Sequence, residues 1–140
     1  MTAALIERLG HHYKLSTFIN GPVNDYFIGE ALVELGEPYP YGEARHGYRG
    51  VFDYWYDKLG LLTPQAVVGI LKQASKPKPP RKGSACPCRS GKIVRKCHRV
   101  QILWIQNRFP TDFLLSEAES LAEVVRIAEE HANSQKSIAA

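Results

Sequence analysis

All three cysteines of this 140-residue chain fall between positions 86 and 97, and His98 follows the last of them directly. Nothing else in the sequence constrains folding as strongly. An odd number of closely spaced thiols cannot form a closed disulfide framework, which needs an even and dispersed set. Clustered thiols that stay reduced usually hold a metal. Cys86 and Cys88 form one pair and the adjacent Cys97 and His98 a second, with a short basic stretch between them. Three thiolates and one imidazole match a tetrahedral zinc site. With all four positions filled by protein, no place remains for a reacting water, so the expected zinc is structural. Ser90-Gly91 lies just after the first pair, where a tight turn folds the chain back and aims backbone N–H groups at the sulfurs. The cysteines have two other readings. Free buried cysteines would not cluster in so polar a stretch. A catalytic thiol needs a free thiolate and a base, yet every cysteine here is in the ligand set.

The charge pattern singles out the same stretch. Net charge is +4 overall, yet residues 76–110 carry ten Lys/Arg and no Asp/Glu, while the segments on either side are net acidic. Such a block attracts anionic partners over about a Debye length, ~8–10 Å at physiological salt. No apolar run approaches the ~18 residues that span a bilayer. The first residues show no basic region followed by an apolar one, so no secretory leader is expected and a cytoplasmic location is.

Helical signals dominate the rest, and the expected class is mainly α: a small helical domain, an inserted Cys3His knuckle and a C-terminal helix. The expected divisions are a helical domain over 1–75, a Pro/Lys-rich linker over 76–84, the knuckle over 85–99 and a helical segment over 100–135. Pro77, Pro79 and Pro80 favour an extended linker. Asn20-Gly21-Pro22 reads as a turn that starts a helix. Val23, Phe27, Ala31 and Leu35 then recur every four residues, with Gly36 as the stop. Tyr48, Val51, Phe52, Trp55, Tyr56 and Leu59 form an amphipathic stripe ended by Gly60. Thr63-Pro64 caps a further helix carrying Val67, Val68, Ile70 and Leu71. Val100 to Trp104 suits a short helix or a strand. Ser116-Glu-Ala-Glu119 has the form of a capping box, opening a helix with Leu121, Val124, Val125 and Ala128 on one face. Fraying is expected from Asn133.

The stretch Cys86-Pro-Cys-Arg-Ser-Gly-Lys-Ile-Val-Arg-Lys-Cys-His98 resembles the SEC-C motif, the zinc knuckle also found at the C-terminus of the bacterial translocation ATPase SecA. The match covers a small part of the chain. Arg89 stands where that family usually has Gly, and Arg99 where a small residue is common. The resemblance implies a zinc-bound interaction module whose basic residues meet an acidic protein. Lys92, Arg95 and Lys96, with Arg99 just beyond, hold those positions here.

A second candidate is the loop from Tyr39 to Gly50, where glycines and tyrosines bracket Glu43, Arg45 and His46. It reads either as a ligand-binding loop or as a structural loop with local charge pairing and tyrosines packed on Trp55; the structural reading is favoured. His11 and His12 read as surface residues. With Gly21-Pro-Val23, Tyr26-Phe27 and Tyr54-Trp55, the segment is similar to SEC-C proteins that accompany bacterial ubiquitin-like conjugation genes. That implies an accessory protein of a conjugation or antiviral defence system.

Three functions follow in order. The first is a non-enzymatic adaptor whose zinc knuckle binds an acidic protein. The second is a nucleic-acid binder using the basic segment and Trp104. The last is an enzyme built on Glu43 and His46, which lacks a nucleophile and a carboxylate pair.

Overall fold

The computed structural model describes residues 2–40, 42, 45, 47–61 and 63–138, with the side chains of 136–138 excepted. It is mainly helical, with no strand among the described residues and one antiparallel bridge, Ala85 to Ile93. Helix α1 is Ala3–Leu9, started by Thr2, whose hydroxyl oxygen accepts the Leu5 N–H at 3.4 Å. Helix α2 (Leu15–Phe18) runs through a π-helical turn (Ile19–Val23) into α3 (Asn24–Glu34). Then come α4 (Gly47–Leu59), α5 (Pro64–Ala74), a 3-10 turn (Val94–Lys96), α6 (Arg99–Arg108) and the long α7 (Thr111–Ile138).

Several local signals act as their chemistry demands. The Thr63 hydroxyl oxygen accepts the Ala66 N–H at 3.3 Å, with Pro64 at the first helical position. Gly36, at φ 84°, closes α3 with the paired bonds of a Schellman motif: Glu37 N–H to Leu32 C=O at 3.0 Å and Gly36 N–H to Val33 C=O at 2.9 Å. Val100 to Trp104 lies in helix α6.

Three expectations are corrected. Asn20-Gly21-Pro22 does not start a helix. It lies inside one, because the π turn bridges the place where Pro22 has no N–H to give. The Ser116 capping box is not used: α7 already starts at Thr111, and Ser116 sits on its exposed side. Pro110 makes the earlier start, since its carbonyl accepts the Leu114 N–H at 3.0 Å. The helix also continues through Asn133 to Ile138. The row of Val23, Phe27, Ala31 and Leu35 forms a helix as expected and leaves Phe27 65% and Leu35 80% exposed.

The core is a single cluster. Trp55 of α4 meets Phe109 edge-on, and around it lie Ile6 of α1, Val67, Ile70 and Leu71 of α5, Ile102 and Ile105 of α6, and Leu114 and Leu121 of α7. Burying each such side chain contributes about 1.5–3 kcal/mol. The Trp55 indole N–H donates to Glu117 Oε1 at 3.2 Å, which satisfies its polar end. Cys86 and Val94 belong to the same cluster, so the core draws on both sides of residues 76–84. That Pro/Lys stretch is itself strapped down. The Gln106 amide donates to the Lys76 carbonyl at 2.9 Å, Pro80 is buried, and the Lys82 and Ser84 carbonyls accept N–H groups from Arg95 and Val94. Among the described residues, no helix is long and apolar enough to cross a membrane.

Candidate metal centre

Each ligand is placed by a local element. The bridge from Ala85 to Ile93, with Cys86 N–H on the Lys92 carbonyl at 2.8 Å, fixes Cys86. Cys88 follows Pro87, whose backbone rests on α5 at Gly69. A Cβ built on Gly69 would lie 2.4 Å from the Pro87 carbonyl oxygen, so only glycine allows this approach. Cys97 ends the 3-10 turn, and His98 is the N-terminal cap residue of α6. Val94, fully buried at the start of that 3-10 turn, pins the returning chain to the core.

The result brings the Cys86, Cys88, Cys97 and His98 donor atoms within 4.8 Å of one another. Cys88 and Cys97 sulfurs are 3.5 Å apart, and His98 Nδ1 is 3.4 Å from Cys86 and 3.1 Å from Cys97. A tetrahedral ion with metal–sulfur bonds of ~2.3 Å places its sulfurs roughly 3.8 Å apart, so the cluster needs little adjustment to hold one metal ion. His98 Nε2 lies 3.1 Å from the carbonyl oxygen of Leu59, the last residue of α4. With that oxygen as acceptor, Nε2 carries the proton and Nδ1 keeps a free lone pair toward the sulfurs.

The electrostatics divide two of the thiols: the surroundings favour the thiolate at Cys88 and oppose it at Cys86. Burial pushes the Cys86 thiol up to about 11, against hydrogen bonds from the Cys88 and His98 backbone N–H groups. Burial acts in the same direction on Cys88. There the Ser90 hydroxyl and backbone N–H, with the neighbouring thiols, outweigh it and bring the group down to about 6. Ser90 Oγ is 3.1 Å from Cys88 Sγ and 3.4 Å from Cys97 Sγ, so the turn serves the sulfurs by its side chain as well as its backbone. A bound cation stabilises all the thiolates further.

The turn is strained. Arg89 sits at φ 63° in the left-handed region, and Gly91 follows at φ 76°. For a residue with a Cβ that conformation costs roughly 1–2 kcal/mol.

The other candidate residues divide. Lys92, Arg95 and Lys96 are exposed, and none forms an ion pair with a described residue. Arg99 is half-buried, and its Nε has no hydrogen-bond partner among the described residues. Glu43 and His46 lie outside the described residues. Arg45 pairs through two nitrogens with the Asp53 carboxylate of α4, and Tyr39 packs over Gly29 of α3. A cavity of about 270 Å³ lies beside Arg45, lined also by Thr2, Gly50, Tyr54 and Glu117. His11 and His12 are exposed.

Three parts of the centre escape a reading of the ligands alone: the Leu59 carbonyl, Gly69 and Val94. Gly69 interrupts an apolar helix and Val94 an otherwise basic stretch, and both irregularities are visible in the sequence. The Leu59 carbonyl leaves no trace there. Compared with known protein families, curated proteins and solved structures, the chain matches none.

Proposed function

We propose that this chain is a non-enzymatic adaptor of the SEC-C type. A structural zinc ion at Cys86, Cys88, Cys97 and His98 stiffens a basic knuckle, and an acidic protein partner docks on Lys92, Arg95 and Lys96. The observation that carries the reading is the donor geometry: four donor atoms lie within 4.8 Å of one another, and His98 Nε2 lies 3.1 Å from the Leu59 carbonyl oxygen. All three thiols are used in that group, which leaves no nucleophile for thioester chemistry. The chain works in the reducing cytoplasm, where thiols stay free for metal. On the sequence resemblance alone, the proposed setting is as an accessory of a bacterial ubiquitin-like conjugation or antiviral defence system.

The test has three arms. Elemental analysis should give one zinc per chain, lost in the Cys86→Ser/Cys97→Ser variant. Reversing Lys92, Arg95 and Lys96 to Glu should abolish capture of the protein partner from nuclease-treated lysate while zinc is retained. Titration with single- and double-stranded oligonucleotides near 150 mM salt should give no binding tighter than the non-specific range of about 10⁻⁴ to 10⁻⁶ M. Capture that survives charge reversal defeats the docking surface. Tight oligonucleotide binding moves the assignment to the alternative, a nucleic-acid-binding knuckle protein.

A further inference from the structure

The α2–π–α3 helix is apolar where it should be polar. Among the described residues, seven of the twelve exposed large hydrophobics lie between Leu15 and Leu35. Leu15, Ile19, Val23, Phe27, Ala31 and Leu35 form one row at four-residue spacing. In a straight α-helix such a row drifts around the axis; the wider π turn at Ile19–Val23 takes back some of the drift. Leu15 is 70%, Phe27 65% and Leu35 80% exposed, and Tyr26 and Val33 are exposed on another side. A helix that is apolar around most of its circumference is normally buried. Among the described residues this one touches its own chain lightly, through the Arg8–Asp25 ion pair at 2.5 Å and Tyr39 over Gly29, the only buried residue of α3.

Its charges say what covers it. The N-terminal end carries exposed Lys14, with no acid between it and Asp25, which Arg8 neutralises. The C-terminal end carries exposed Glu30, Glu34 and Glu37 and no base. None of these end charges forms an ion pair with a described residue. A surface with opposite charge at its two ends is complementary to itself when turned end for end. The continuous helix from Leu15 to Glu34 makes a rod of ~30 Å, so one face of it offers a small interface, below the ~800 Å² per partner of a standard one.

We propose that two copies of this chain pair through their α2–π–α3 helices, antiparallel about a two-fold axis. Lys14 of one copy then lies toward Glu34 of the other, and the rows containing Phe27 bury each other. The contact is isologous, so it closes at two copies, and the dimer carries two knuckles. It rests on different residues from the metal centre and stands or falls separately from it.

The test uses the full chain. Sedimentation equilibrium should report twice the 15.7 kDa protomer mass at micromolar concentration. Phe27→Glu changes an exposed residue and should weaken the dimer about thirtyfold or more, with helical circular dichroism and zinc content unchanged. Lys14→Glu should weaken it several-fold by setting like charges together, and Lys14→Glu/Glu34→Lys should restore it. A monomer at every concentration overturns the proposal, as does a dimer indifferent to Phe27→Glu. A dimer that Phe27→Glu breaks but the double charge swap does not restore rules out the antiparallel pairing.

Discussion

His98 Nε2 lies 3.1 Å from the carbonyl oxygen of Leu59, so the same imidazole that offers Nδ1 to the cysteine sulfurs also caps the C-terminal end of α4. Leu59 is itself 3% exposed, and Cys86 and Val94 share its cluster. A metal ion held by this group therefore ties the knuckle to α4 and to the core at once.

Removing the metal should consequently destabilise the whole chain and not the knuckle alone. Structural zinc supplies a large part of the folding free energy in small metal-bound units. A loss of about 3–4 kcal/mol would lower the midpoint of a chain this size by roughly 10 °C. Thermal melts followed by circular dichroism, with and without chelator, check this. An unchanged melt of the helical signal would show that the metal centre is only an appendage.

Gly69 gives a sharper test of the same contact. On helix propensity alone, Gly69→Ala should stabilise α5 by about 1 kcal/mol. The added Cβ, however, would lie 2.4 Å from the Pro87 carbonyl oxygen, which is backbone and cannot turn away. The knuckle must shift, at a cost of about 1–3 kcal/mol. Urea unfolding should show net destabilisation, and competition with a chromophoric chelator should show weaker metal binding. A more stable Gly69→Ala protein would mean that the knuckle does not rest on α5.

Arg89 should behave in the opposite way. At φ 63° it holds a conformation that glycine adopts freely. Relief of roughly 1–2 kcal/mol of strain, set against the greater flexibility of glycine in the unfolded chain, leaves Arg89→Gly about 0.5–1 kcal/mol more stable. Arg89→Val should be destabilised, because a β-branched side chain tolerates that region worst. Urea titrations of the two variants should bracket the unmutated protein; the reverse order would contradict the left-handed turn.

Residue chemistry explains which parts of this structure were legible in advance. The mainly α class follows from periodicity at Phe52, Trp55 and Leu59, and from the Thr63-Pro64 start, because each signal acts within a few residues of itself. The donors at Cys86, Cys88, Cys97 and His98 were legible for the same reason. What failed was choosing between competing local signals. Ser116 and Glu119 form a capping pattern, but Pro110 begins the helix one and a half turns earlier, and the pattern is absorbed into its side. Pro22 looks like a start, but a π turn lets the helix run past it. The apolar row through Phe27 matches a core-facing stripe as well as an exposed one, since periodicity does not name what covers it.

Glu7 joins three elements, and its charge state should be visible in the acid limb of stability. Its carboxylate accepts hydrogen bonds from the Tyr54 hydroxyl at 2.8 Å and the Lys58 ammonium at 2.7 Å, both on α4, while its backbone carbonyl accepts one from Arg108 of α6. Burial alone would raise this carboxyl, but the bonds from Lys58 and Tyr54 win and hold it below its ordinary value. A group with a lowered folded value binds its proton less readily in the folded chain than in the unfolded one. Its contribution is therefore complete above the ordinary carboxylate range, near 4.5, and is lost as pH falls through the lowered value. Glu7→Gln keeps the shape but removes the charge. It should cost about 1 kcal/mol at neutral pH, the usual worth of such bonds, and nearly nothing once the native carboxyl is protonated. Urea unfolding from pH 7 down to pH 3 should show the two stability curves converging on the acid side. A constant gap across that range would mean that the Tyr54 and Lys58 contacts do not depend on ionised Glu7.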